Sequence, residues 1–165
     1  MATELDISIQ DPIWETIPNV EKLVEKAVNA AIAAAPLPRE ALQKDLEISL
    51  VLANDDLVQV LNREYRQKDR PTNVLTFATL DSAMPQAGDD LNLGDIILAF
   101  QTIEREAAEQ GKYLTDHLAH LTVHGTLHLL MYDHQTEDEA NTMETLEIRI
   151  LERLGVQNPY IENTY

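Results

Sequence analysis

The sequence predicts a single α+β domain, and three observations carry that prediction. Strand-like alternation of apolar and polar residues and apolar faces at helical spacing occur side by side in the same chain. A chain of 165 residues rich in Leu, Ile, Val and Ala can bury roughly 70% of its unfolded surface around one core. No internal repeat or low-complexity linker divides it, so residues 1–165 are expected to fold as one domain.

Residues 4–10 (ELDISIQ) alternate and read as a short strand. Residues 20–35 (VEKLVEKAVNAAIAAA) keep an apolar face at helical spacing until Pro36 and Pro38 stop it. LEISLVLA, 46–53, reads as a second strand, and Asn54 with Asp55 offers a cap for a helix over 55–67 that must end before Pro71. NVLTFATL, 73–80, is rich in β-formers and gives a third strand. Residues 81–93, with Pro, Gly, Asp and Asn and no sustained period, read as a loop; GDIILAF, 94–100, then reads as a buried strand. A helix is expected over about 102–111, and two longer ones over 115–131 and 137–155, with Thr115 and Thr136 as starts and Gly155 as a stop.

Composition excludes several classes of chemistry. With no cysteine there is no disulfide, thiolate zinc site or iron–sulfur ligation, so any metal must be held by His, Asp or Glu. The acidic first residues do not resemble a secretory leader, and no apolar run approaches the roughly 18 residues of a membrane span. A soluble, cytoplasmic protein without membrane partners is expected. The net charge of −17 opposes unspecific attraction to nucleic acid. Locally, 63–70 (REYRQKDR) holds four of the twelve cationic side chains, as a solvated helix end or as a basic patch.

His117, His120, His124 and His128 fall in a stripe about 80° wide on one helix, at about 100° per residue. His124 and His128 are one turn apart, and His134 can return from the following turn as a third ligand, completing the pattern H-x3-H-x5-H. Three protein ligands leave a position open, the arrangement of a catalytic rather than a structural site, and one zinc ion per chain is expected, with other transition metals also suited to imidazole. His120 reads as a fourth ligand, a hydrogen-bond partner behind a ligand, or a packed side chain; His117 reads as structural. The same histidine spacing occurs in the long metzincin protease motif, where Glu follows the first His as general base, but here that position is Gly125. The spacing therefore supports metal binding more than peptide hydrolysis.

Taken together, VHGTLHLLMYDH, the preceding NREYRQKDRPTNVLTF and LGDIILA, and the closing pattern of Met143, Glu147, Leu151, Leu154 and Gly155 resemble the YbeY family of metal-dependent endoribonucleases that act in ribosomal RNA maturation. The resemblance runs in order over roughly 46–155 and implies a small mixed β-sheet packed by helices, with a zincin-like metal-binding helix. It implies catalytic roles for His124, His128 and His134 as metal ligands and for Arg66 as an arginine facing the site and its phosphate. It further implies single-strand-specific cleavage in the 3′-end processing of small-subunit ribosomal RNA and in ribosome quality control, with ribosomal RNA and the small ribosomal subunit as partners. A zinc metallopeptidase and a non-catalytic, ribosome-associated metal-binding protein are the alternatives.

Asp133, beside His134, can orient a ligand imidazole or sit in an exposed turn, and Thr72 and Asn73 can line the cleft or serve as turn residues. Arg105, on the helix expected over 102–111, is expected to lie away from the site. Two positions depart from the family pattern: Met131 stands where Gly is usual, and Ala78 where Pro is usual. Either the helix ends differently here or Met131 adopts positive φ, which affects how His134 approaches the metal.

Overall fold

The computed structural model describes residues 3–81 and 90–161. Strand β1 (Thr3–Ile9) leads through a 3-10 turn (Pro12–Thr16) into helix α1 (Val20–Ala34), and a second such turn (Arg39–Ala41) leads into β2 (Asp45–Ala53). Helix α2 (Asp55–Arg66), β3 (Val74–Ala78), a third 3-10 turn (Thr79–Asp81) and β4 (Asp90–Ala99) follow. Helices α3 (Phe100–Glu109), α4 (Leu114–Leu129) and α5 (Glu137–Arg153) complete the described fold.

The strands form one mixed sheet in the order β1-β2-β4-β3. β1, β2 and β4 run parallel, and β3 pairs antiparallel with β4 at the edge. Strand β2 alternates, sending Leu46, Ile48, Leu50 and Leu52 into the main core. The continuous apolar run of β4 reflects burial on both faces: Ile96 and Leu98 join the main core, while Ile97 and Ala99 join a smaller cluster with Val58 of α2 and Leu75 of β3. Helix α4 is the central element, in contact with α1, α3 and α5 and with strands β3 and β4. Its residues Leu118, Leu121, Val123, Leu127 and Leu129 are all buried, as a helix apolar around most of its circumference requires.

Two glycines permit close approach. At Gly94, where φ is 126° and the β2–β4 register shifts, an added Cβ would lie 2.0 Å from the Phe77 carbonyl oxygen. At Gly125 it would lie 3.2 Å from Ile96 Cγ2 and 3.3 Å from Thr76 Cγ2, so α4 can press onto β3 and β4 only because no side chain intervenes.

The structure differs from the sequence expectation at several boundaries: β3 ends at Ala78 and Thr79–Asp81 turn as a 3-10 helix, and the starts of three further elements shift. Strand β4 begins at Asp90, inside the segment expected to be loop, whose residues 82–89 lie outside the described ones. Helix α3 begins at Phe100, directly after the strand, because its cap is not local: the Asp55 carboxylate accepts from Thr102 N at 3.0 Å and from Thr102 Oγ1 at 2.9 Å. Thr115 lies inside α4, whose N-cap position is Tyr113; Thr136, by contrast, caps α5 by accepting from Glu139 N.

Helices α4 and α5 end in the same way. After α5, Gly155 (φ 76°) donates to the Glu152 carbonyl and Val156 to that of Leu151. After α4, Met131 (φ 75°) donates to the His128 carbonyl and Tyr132 to that of Leu127. Both are Schellman endings, but one has the glycine that left-handed backbone favours and the other a methionine that is 46% exposed. Met131→Gly is therefore expected to raise the unfolding free energy by about 1 kcal/mol, and Gly155→Met to lower it by a similar amount, as read from urea denaturation midpoints.

Candidate metal centre

His124 and His128 leave the same face of α4 one turn apart, half-buried, and the ending at Met131 reverses the chain so that the exposed His134 comes back toward them. His124 Nε2 and His128 Nε2 are 3.0 Å apart. The His134 ring lies 5.2 Å from that of His128 and 5.6 Å from that of His124, and one nitrogen from each of the three falls within 4.8 Å of the others. Zinc–nitrogen bonds of about 2.0–2.1 Å in tetrahedral geometry need nitrogens roughly 3.3 Å apart, so small side-chain adjustments suffice for these three to hold one ion.

Behind the histidines lies a carboxylate that the sequence marks only as part of the closing helix pattern. Glu147 of α5 is fully buried, and His124 Nδ1–H donates to its Oε1 at 2.5 Å. An ionised carboxylate only accepts, so this bond places the His124 proton on Nδ1 and leaves Nε2 with its lone pair toward the cleft. His120 Nε2–H donates to Glu147 Oε2 at 3.1 Å, and the Tyr160 hydroxyl donates to the same oxygen. Burial raises the Glu147 carboxyl, but the hydrogen bonds and charge of His120 and His124 outweigh it and hold it at about 2. The available signal was one acid on an otherwise apolar face, with Met143 one turn before Glu147 and Ile150 and Leu151 one turn after it.

His128 responds to its surroundings differently. Burial, followed by the neighbouring His124 and His134, lowers it to about 4, while Asp133 and a hydrogen bond to the Tyr132 backbone oppose the shift. It therefore stays neutral, with a nitrogen available to a metal, well below the usual histidine range. The Asp133 carboxylate accepts from His134 N at 2.8 Å, shaping the turn, and Glu147 is the acid that orients the His124 imidazole.

The other candidates also find places. His117 is buried against Glu106, 2.9 Å from its carboxylate, in keeping with a structural role, and burial is the main cause that lowers it. His120 contacts Glu147 and Tyr160, so it sits as a hydrogen-bond partner behind His124. The second cluster able to hold a metal, His120, His124 and Glu147, is already closed by these hydrogen bonds.

The three histidines line a cleft of about 730 Å³ shared with Arg66, Lys68, Arg70 and Arg105. The cationic stretch is thus divided between two settings: three of its members face the cleft, while Arg63 lies 3.7 Å from Asp69 on the surface. Arg105, expected to be remote, lines the same cleft, because α3 packs beside α4 and brings it there. Thr72 and Asn73 line it as well, and Asn73 is also a turn residue, accepting from Val74 N and donating to Glu106. Arg66 Nη2 donates to the Thr76 carbonyl at 2.8 Å, with its guanidinium 5.1 Å from the Phe77 ring centroid. Because Phe77 turns its carbonyl toward β4 at Gly94, the preceding carbonyl, that of Thr76, faces the open edge of the sheet.

This α+β protein brings three histidines together at the end of a central helix, a donor set that could hold a metal ion. The family model described as Endoribonuclease YbeY matches residues 8–155. The Endoribonuclease YbeY of Paramagnetospirillum magneticum is 48% identical over 162 residues, covering 96% of each chain. That of Rhodospirillum rubrum is 50% identical over 154 residues, covering 90% of this chain and 77% of the other. A solution structure from Thermotoga maritima shares the fold with a TM-score of 0.52 at 22% identity, covering 95% of this chain and 99% of that one. The chain belongs to the YbeY family.

The environments of His128 and Glu147 predict an acid-sensitive metal-free protein. Between about 6.5 and 4 the unfolded chain protonates His128 and the folded protein does not, so stability falls as the pH drops through that window. Glu147 contributes stability that is present above its unfolded value of 4.5 and is lost as the pH falls toward about 2. Urea denaturation of chelator-treated protein should show both losses, and His128→Gln should flatten the upper one.

Proposed function

We propose that this protein is a metal-dependent endoribonuclease that cleaves single-stranded ribosomal RNA, in the maturation of the small-subunit RNA 3′ end and in ribosome quality control. Residues 1–165 are read as one metallohydrolase domain acting in the cytoplasm with the small ribosomal subunit. The observation that carries the proposal is the convergence of His124, His128 and His134 in a cleft that also holds Arg66. His124, His128 and His134 would hold one zinc ion. Zinc, when bound, supplies Lewis-acid chemistry, activating water near neutral pH and polarising a phosphoryl oxygen.

The chain's own residues account for the rest. Glu147 fixes the tautomer and direction of His124. Arg66, held by Thr76 and Phe77, presents planar paired donors to the scissile phosphate and stabilises charge that grows on its oxygens. Lys68, Arg70 and Arg105 guide the flanking backbone, a local attraction that opposes the repulsion from a net charge of −17.

Peptide hydrolysis is disfavoured on two counts. The position of the missing general base is Gly125, which carries no carboxylate and is packed closely enough against Ile96 and Thr76 that even a Cβ would require these side chains to shift. The open edge of β3, where an extended peptide would add as a strand, has its Thr76 carbonyl occupied by Arg66.

Purified protein is expected to hold about one metal ion per chain by elemental analysis, and His128→Ala to lose it, since two ligands do not complete a stable site. Full occupancy in that variant would refute the ligand assignment. Chelated protein that stays folded but no longer cleaves RNA separates an enzyme from a non-catalytic metal-binding protein.

Under single-turnover conditions with saturating metal, Arg66→Lys should lower RNA cleavage about tenfold, and Arg66→Glu about a hundredfold or more, with metal content intact. Arg105→Glu should give an intermediate loss, and Arg39→Glu, outside the cleft, almost none. Unchanged cleavage in Arg66→Glu would remove the arginine from the mechanism.

A further inference from the structure

Beyond α5 the described residues up to Tyr160 fold back onto the molecule. Lys112 Nζ donates to the Pro159 carbonyl at 3.1 Å, and Tyr160 N donates to Asn158 Oδ1 at 2.8 Å. These two contacts direct the Tyr160 side chain back toward the buried end of the histidine stripe. Its ring packs edge-on against His120, 5.5 Å between centroids at 82°, and its hydroxyl donates to Glu147 Oε2. Tyr160 as a residue is 45% exposed, while its hydroxyl reaches the carboxylate of the fully buried Glu147. The family match ends at residue 155, short of this contact.

A buried carboxylate with its oxygens incompletely paired is costly, and it can rotate to exchange the oxygens between partners. Oε1 of Glu147 serves His124, and Oε2 is shared by His120 and Tyr160. With the tyrosine hydroxyl in place, Oε2 is engaged from two directions and Oε1 stays directed at His124 Nδ1. Without it, His120 alone holds Oε2, at 3.1 Å, and the orientation of the His124 ring loosens.

We propose that Tyr160 is a positioning residue for the metal centre, acting through Glu147 to hold His124 in the orientation and tautomer that a metal ion needs. The proposal rests on the reading of His124, His128 and His134 as metal ligands. Partners behind a ligand typically change metal affinity 10- to 100-fold, and Tyr160 stands one bond further out than Glu147, so about tenfold or somewhat less is expected.

The test uses the full chain and Tyr160→Phe, which removes only the hydroxyl. Zinc affinity is measured by competition with a chromogenic chelator, the visible absorption of the cobalt(II)-substituted protein is recorded, and the stability of metal-free protein is measured in parallel. Weaker zinc binding by about three- to tenfold, together with a shifted cobalt spectrum, is the expected result. Affinity and spectrum equal to wild type would overturn the proposal, and so would a loss of stability with both unchanged, since that is a purely structural tyrosine. Wild-type protein that binds neither zinc nor cobalt would instead refute the underlying ligand reading, an outcome distinct from the failure of Tyr160 alone.

Discussion

Glu147 is where the fold and the site constrain each other most tightly. Taking an ionised carboxylate out of water costs several kcal/mol even after relaxation, and only well-placed hydrogen bonds offset it. Here they come from His124 and His120 on α4 and from Tyr160 at the C-terminal side, so α4, α5 and the following segment must keep a fixed relation for the charge to be tolerated. The same bonds decide the His124 tautomer. One buried acid thus ties helix packing to the lone pair that the cleft presents.

The second constraint is the contact of α4 with the sheet. Gly125 removes the side chain that would separate α4 from Ile96 and Thr76, and so brings the histidine face close to edge strand β3. That proximity is what lets Arg66, reaching across from the end of α2, share a cleft with His124 and His128 while bonded to Thr76. A glycine in place of a glutamate therefore does more than withhold a general base. It lets α4 seat closely on the strand that lines a cleft holding four cationic side chains, although the chain as a whole is strongly anionic.

What could be read from the sequence, and what could not, divides along local and non-local physics. Helices α1, α2 and α5 announce themselves through apolar spacing and nearby stops or caps, such as Pro36, Asn54 and Thr136. Helix α3 is legible as a helix, but its start is not, since its cap comes from Asp55, 47 residues earlier. His124, His128 and His134 stand out because their spacing is one that binding a single metal ion would require; Arg66 stands out only through family resemblance. Arg105 and Tyr160 carry no pattern of their own, because their place depends on how α3 and the C-terminal segment pack against α4. The mixed order β1-β2-β4-β3 is likewise a matter of pairing between distant segments, which periodicity cannot order.

Met131 shows how a departure from a family pattern can be absorbed without loss of geometry. The reversal that carries the chain from His128 to His134 needs a left-handed residue, and the hydrogen bonds from Met131 and Tyr132 back to His128 and Leu127 hold the methionine there. Its side chain is 46% exposed, so left-handed backbone at this position does not require a buried methionine to be repacked. The strain is local and modest, whereas a different helix ending would displace His134 by the length of a turn. The fold accepts about a kilocalorie of backbone strain to keep the third histidine within reach of the other two. The geometry of the histidine cluster, rather than the identity of the residue at the helix end, is what the surrounding structure maintains.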